Sequence, residues 1–158
     1  MQRVPMTKQG IQDIKELLEK FKNKDSPRII QAIADARAHG DLKENAEYHA
    51  AKEEQGLLEA RIANLEGQIQ NAQVIDVKNL PKNGKVVFGT TVTLEDMSNN
   101  KILRFTIVGE SESNFTKGKL SYLSPIAKSI IGKGLDEIVE ASTPGGIIDY
   151  QIKEIEYI

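Results

Sequence analysis

Apolar positions in the first half of the chain recur at helical steps. Ile11, Ile14, Leu18 and Phe21 lie three and four residues apart, the spacing of one helix face. Ile30 and Ile33 resume the pattern after Asp25-Ser26-Pro27 with a shifted phase. Ala51, Gln55, Leu58, Ile62, Leu65, Ile69 and Ala72 then alternate steps of four and three, a narrow seam of the coiled-coil kind. Glu53, Glu54, Glu59, Arg61, Glu66 and Gln68 fall off that seam and should be solvated. Neither stripe can stay in water, and Gly40 marks a short connection between them. The expected product is an antiparallel coiled-coil hairpin of two helices. About 30 residues at ~1.5 Å each give an arm of roughly 45 Å. Pro27 lacks a backbone donor and should kink or restart the first helix, with Asp25 or Ser26 as cap.

After Ala72 the period changes. "VIDVKNLPKNGK" reads as a linker, with Pro81 and the Asn83-Gly84 turn signal. The runs "KVVFGTTVTLE", "KILRFTIVGE", "EIVEAST" and "GIIDYQIKEIEYI" follow. In them Val92 and Leu94 alternate with threonines, Leu103, Phe105 and Ile107 with Arg104 and Thr106, and Tyr150 and Ile152 with Asp149 and Gln151. That is the period of half-buried antiparallel strands. Asn99-Asn100 and Pro144-Gly145-Gly146 are the expected turns. One short helix interrupts them at "SPIAKSIIGKG". Ser124 suits its cap, Pro125 its first position and Gly132 its stop, with Ile126, Ile130 and Ile131 expected over the sheet.

The fold class is therefore two domains: a helical hairpin over residues 1–76 with its turn near 40–45, a linker over 77–83, and a small α+β domain with an antiparallel sheet over 84–158. Composition narrows the function. The net charge is -2, without the basic field of a free duplex-DNA binder, so any nucleic-acid contact is local or assisted by a partner. There is no cysteine, which excludes disulfides, thiolate metal sites and cysteine nucleophiles. The N-terminal "MQRVPMTKQG" has no signal-peptide run, and no stretch approaches the ~20 apolar residues of a membrane span. A cytoplasmic protein without a membrane partner is expected. The seam is used up inside one hairpin, so a monomer is the simpler expectation.

The hairpin turn carries the chemistry. Asp41 and Glu44, in "HGDLKEN", support two compatible readings. Asp-x-x-Glu at a helix start can be a capping box, and both acids suit the positive end of the helix dipole. Two carboxylates are also hard oxygen ligands suited to magnesium. Magnesium takes six oxygens, so the pair makes only part of a site and a partner must supply the rest. Arg37 and Lys52, just below the turn on opposite helices, are solvated charges or contacts to a nucleic-acid backbone. Asn45 and Tyr48 can brace the turn or stack on a base, bracing being favoured. His39 and His49 each lack a neighbouring nitrogen ligand and read as surface residues. No nucleophile–base pair is evident, and the glycines around Lys133 lack phosphate-loop spacing.

These residues also carry a resemblance. "ARAHGDLKENAEYHAAKEEQGLLEARIANLEGQI" with "NAQVID", and then "VVFGTTVTLED", "IVGESES", "SPIAKSIIGK" and "TPGG", closely resembles the Gre family of bacterial transcript-cleavage factors over nearly the whole chain. "KENAEYHAAKEEQ" is similar to its GreA branch rather than GreB. The resemblance implies a coiled-coil hairpin followed by a β-rich domain like the FK506-binding proteins. It implies that the second domain docks at the rim of the RNA polymerase secondary channel and the hairpin enters that channel. Asp41 and Glu44 would then help hold a magnesium ion and the attacking water at the polymerase active site, shared only in the complex and not bound stably by this chain alone. The polymerase cleaves its own backtracked RNA near the 3′ end, and the factor is not itself an enzyme. Arg37 and Lys52 map to the family's RNA-facing basic positions, and Ser124 and Pro125 to its docking loop. Asp25-Ser26-Pro27 departs from the basic residues often found before that proline, which alters charge midway along the arm.

Two other functions compete. A channel binder that inhibits without stimulating cleavage is disfavoured by the intact acid pair. A proline isomerase built on the second domain is disfavoured by four Phe, four Tyr and no Trp, too few for an aromatic proline pocket.

Overall fold

A computed structural model of the chain describes residues 3–40 and 45–158. The chain forms two compact units. One comprises Ile11–Ala72, the other Arg3–Gly10 and Gln73–Ile158.

The first unit is helical. Helix α1 spans Lys8–Lys20, a π-helical turn spans Phe21–Asp25, and helix α2 spans Ser26–Arg37. Helix α3 spans Ala46–Asn71. Helices α2 and α3 pack together and run antiparallel. Asn45 reaches Ala36, Arg28 pairs with Glu54, and Lys22 pairs with Glu66. The α3 seam alternates as its spacing requires. Ala51, Leu58 and Leu65 are buried, and Gln55, Ile62 and Ile69 are half-buried; Ala72, expected to continue the seam, is buried but lies just past the helix in extended conformation.

The π turn explains the phase shift in the first helix. An uninterrupted α-helix continuing Ile11, Ile14, Leu18, Phe21 would place residues 25, 28 and 32 on the seam. Instead the Ser26 amide donates to the Phe21 carbonyl five residues back, which inserts one residue into the turn. Ile29 and Ala36 are then buried and Ile33 half-buried. Ile30, expected on the seam, is 56% exposed. The expected break and cap at Asp25-Ser26 is also absent. Lys20, Asp25 and Ser26 all keep right-handed helical dihedrals, and Asp25 makes no cap bond. The wider turn accommodates a proline that cannot donate, so the helix continues. Asp25 instead faces Lys20 at 3.4 Å.

The second unit is built on a five-stranded sheet. Its strands are β3 (Thr91–Asp96), β4 (Ile102–Val108), β5 (Lys119–Ser121), β6 (Ile138–Thr143) and β7 (Gly146–Glu156), and their order across the sheet is β5-β4-β3-β7-β6. Helix α4 (Pro125–Ile130) packs on β6. The sheet is not wholly antiparallel as expected: β5, a strand the alternation does not reveal, pairs parallel with β4. It spans only three residues, too short for a period to show. The first strand-like run also begins later than expected, at Thr91, with Lys85 making only an isolated bridge to Gly134. Val92, Leu94, Phe105, Ile107, Tyr150 and Ile152 form the core with Ala127 and Ile130 of α4. Ala127 takes the place expected for Ile131, which is 37% exposed. The Asn99-Asn100 turn is present, Asn100 at φ 60°. So is the turn before β7, where the Thr143 hydroxyl donates to the Gly146 carbonyl at 2.7 Å.

Strand β1 (Val4–Thr7) pairs with β2 (Ala72–Ile75) in a separate two-stranded sheet. The Glu112 carboxylate fastens the end of β1. It accepts from the Thr7 amide at 3.1 Å, from the Gly109 amide at 2.9 Å and from the Thr7 hydroxyl. The Thr7 hydroxyl oxygen in turn accepts from the Gly10 amide at 3.0 Å, capping α1. A side chain at Gly10 would collide with this carboxylate. These bonds explain why Arg3–Gly10 belongs with residues more than a hundred positions away, although helical periodicity alone assigns the N-terminus to the hairpin.

Hydrogen bonds to a carboxylate contribute about 1.5–3 kcal/mol where the partners are left dry. Glu112→Ala is therefore expected to lower the unfolding free energy by roughly 2 kcal/mol, read from urea denaturation of the full chain. At the β3–β4 turn, the Asp96 carboxylate accepts from the Ser98 hydroxyl at 2.7 Å and amide at 2.9 Å. The Ser98 hydroxyl first, and then its amide, hold the Asp96 pKa below the ordinary value. A depressed folded-state pKa stabilises above the unfolded value and is lost as pH falls through the folded one. The stability gap between wild type and Asp96→Asn should thus be widest near neutrality and shrink in acid, measured by thermal melts from pH 7 down to about pH 3.

Candidate functional site at the hairpin turn

The candidate site is built where α2 ends and α3 begins. The last turn of α2 tightens. The His39 amide donates to Ala36 at 3.1 Å and the Gly40 amide to Arg37 at 3.3 Å. Gly40 then adopts φ +111°, a conformation costly for any residue with a Cβ and suited to a helix stop. Asp41 and Glu44, the predicted metal and catalytic acids, lie outside the described residues.

Helix α3 starts at Ala46, and its cap is Asn45, in extended conformation at φ -87° and ψ 96°. Asn45 Oδ1 accepts from the Tyr48 amide at 3.0 Å. Its Nδ2 donates to the Ala36 carbonyl at 2.5 Å. One amide side chain thus satisfies an orphan donor of α3 and gives the Ala36 carbonyl, at the end of α2, a second donor beside the His39 amide. This moves the cap of α3 four residues beyond the Asp41 expected from the capping-box pattern. The signal was available: Asn is among the preferred caps, but the Asp-x-x-Glu spacing drew the start too early.

Arg37 closes α2 and is exposed. Its guanidinium carbon sits 6.0 Å from the centroid of the Tyr48 ring, at the outer reach of a cation–π contact. The Tyr48 ring meets His49 edge-on at 5.5 Å. Lys52, one helical turn beyond Tyr48, is exposed and donates to Gln55 Oε1 at 3.3 Å. Arg37 and Tyr48 are thus brought together across the turn, and Lys52 follows Tyr48 at the spacing that puts both on one side of α3. Among the described residues no group of three or more His, Asp or Glu could hold a metal.

Ser124 and Pro125 belong to the second unit. Ser124 Oγ accepts from the Ala127 amide at 3.2 Å and caps α4, and Pro125 is exposed at the first helical position. The glycine after α4, Gly132, has φ +86° and donates to the Val86 carbonyl at 2.8 Å. The loop is therefore held by the core rather than shaped as a phosphate cradle. Among the described residues no helix is long and apolar enough to cross a membrane.

The described residues thus form a pair of antiparallel helices joined at a polar turn, and a separate unit built on a small mixed sheet. Residues 4–74 match the family model described as transcription elongation factor, N-terminal, and residues 81–157 match that of transcription elongation factor, GreA/GreB, C-terminal. The chain belongs to the GreA/GreB family of transcription elongation factors. It is 51% identical over 158 residues to transcription elongation factor GreA of Legionella pneumophila (strain Corby), covering 100% of this chain and 99% of that one. It is 50% identical to transcription elongation factor GreA of Haemophilus influenzae, covering 100% of each. Among solved structures it is similar to the GreA factor homolog 1 protein of Thermus thermophilus, at 25% identity and a TM-score of 0.43, covering 98% of this chain and 99% of that one.

Losing an N-cap costs about 1 kcal/mol, and Asn45 also supplies a second bond. Asn45→Ala is expected to lower stability by roughly 1–2 kcal/mol, with Asn45→Ser recovering the cap's share, as read by urea titration of the full chain.

Proposed function

We propose that this protein is a transcription elongation factor that binds the secondary channel of bacterial RNA polymerase and stimulates cleavage of backtracked nascent RNA by the polymerase itself. The observation that carries the reading is likeness over the whole chain to proteins named transcription elongation factor GreA, with "GDLKENAEY" intact at the hairpin turn. The chain has no turnover of its own; its residues complete another enzyme's site.

In this reading Asp41 and Glu44 supply two carboxylates and the polymerase supplies the remaining ligands. The donor set fits, because two hard oxygens are a fraction of an octahedral shell. A magnesium ion shared in this way would lower the pKa of a bound water and neutralise developing charge on the phosphate. The chain's own part is to present the acids at the end of a stiff helix pair, with Asn45 setting where α3 begins. Arg37 and Lys52 face the backbone of the RNA 3′ segment, giving orientation without reading sequence. The loop at Ser124 and Pro125 docks on the channel rim, its backbone held by the α4 cap. A family of factors that work inside polymerase also accounts for a net charge of -2: affinity comes from a protein partner rather than from a general basic field.

The test uses stalled, backtracked elongation complexes with RNA mapped at the 3′ end. Wild type should accelerate cleavage in the presence of magnesium. The Asp41→Asn, Glu44→Gln double variant should compete for the same binding site with unchanged affinity and cleave about a hundredfold more slowly, the scale for removing a group placed at developing charge. Binding without acceleration by the wild type would make the protein a channel inhibitor. Equal acceleration by both proteins would confine the acids to the local structure of the turn.

A further inference from the structure

We propose that Tyr48 is a positioning residue for Arg37, holding its guanidinium for a phosphate of single-stranded RNA. The inference rests on the reading that the hairpin turn meets RNA, and it adds a residue and a role to that site.

Arg37 is the last residue of α2, where a long side chain has many rotamers and little to restrain it. Among the described residues it forms no ion pair; its neighbour is the Tyr48 ring, 6.0 Å from the guanidinium carbon. A ring face restrains a guanidinium while leaving its N–H edges unused. A carboxylate partner would occupy those edges and cancel the charge a phosphate needs. Arg28 shows the alternative, since its guanidinium donates to Glu54 at 2.5 Å.

The ring is itself placed. Tyr48 lies in the first turn of α3, and its amide is bound by the Asn45 cap, which also holds the Ala36 carbonyl next to Arg37. The ring is half-buried and backed edge-on by His49. Asn45 therefore couples the backbones on which Arg37 and Tyr48 stand, and the ring sets the direction of the cation. Lys52, one turn along α3, extends the same cationic side. Spacing of phosphate-binding cations decides register on a strand rather than sequence, so the consequence is for orientation once the protein is docked.

The experiment compares Tyr48→Phe, Tyr48→Leu, Arg37→Ala and the Arg37→Ala, Tyr48→Leu double variant in the full chain. Nuclear magnetic resonance of the Arg37 side chain follows its ring-current shift and its response to a short oligoribonucleotide. Cleavage assays on backtracked complexes separate maximal rate from half-saturating concentration. Tyr48→Phe should retain the ring-current shift and the wild-type rate. Tyr48→Leu should lose the shift, respond to the oligoribonucleotide about threefold more weakly and cleave about threefold more slowly, the scale of an exposed cation–π contact. Its half-saturating concentration should not change, and the double variant should be no worse than Arg37→Ala. Wild-type behaviour of Tyr48→Leu in both measurements, or additive losses in the double variant, would overturn the proposal. If the wild type binds polymerase without accelerating cleavage, the function proposed above fails, and the oligoribonucleotide titration alone decides the role of Tyr48.

Discussion

The helical unit depends on one constraint: the narrow apolar seam of α3 has to be covered by the helix that faces it through α2 and the π turn. Ala51, Leu58 and Leu65 are buried at strict seven-residue steps. The facing helix must keep the same phase, yet it contains Pro27, which can neither donate nor sit comfortably in a straight α-helix. The π turn at Phe21–Asp25 resolves the conflict by adding one residue to the helix. It moves the seam from the register set by Ile11 and Phe21 to that of Ile29 and Ala36, and the two helices remain matched up to the turn. Pairing at the turn, where Asn45 joins Ala36 to the start of α3, depends on that register.

The turn between α2 and α3 is therefore downstream of packing. The π turn and the buried residues Ile29 and Ala36 decide where Arg37 stands. The cap decides where Tyr48 stands. Asp41 and Glu44 lie between these two positions in the chain. The exposed ion pairs along the hairpin, such as Lys22–Glu66, contribute little by comparison, because solvent screens both partners. In the second unit, Glu112 plays the organising part. One carboxylate gathers donors from Thr7 and Gly109 and so holds the N-terminal strand to a sheet formed much later in the sequence.

Much of this was legible in the residues. The α3 seam is periodic enough to predict every buried position on it. The strand cores at Val92, Leu94, Phe105, Ile107, Tyr150 and Ile152 follow from alternation alone. Ser124, Pro125 and Gly132 mark α4 by local backbone chemistry that needs no tertiary context. At the turn, Gly40 marked the connection. The cap was misplaced because two candidate residues four positions apart both have a suitable side chain, and spacing cannot choose between them.

What the sequence determined by itself is whatever depends on neighbours within a few positions: the helical and strand periods, the turns at Asn100 and Gly146, the cap of α4 and the gathering of acids and cations around residue 40. Tertiary structure decided what depends on distant partners. The π turn exists because α3 imposes a register on a helix that contains a proline. The parallel pairing of β5 with β4 depends on where a three-residue strand can find free backbone donors and acceptors. Arg3–Gly10 goes with the second unit because Glu112 supplies its hydrogen bonds. Arg37 meets Tyr48 because two helix ends, eleven residues apart in the chain, are locked side by side by a single asparagine.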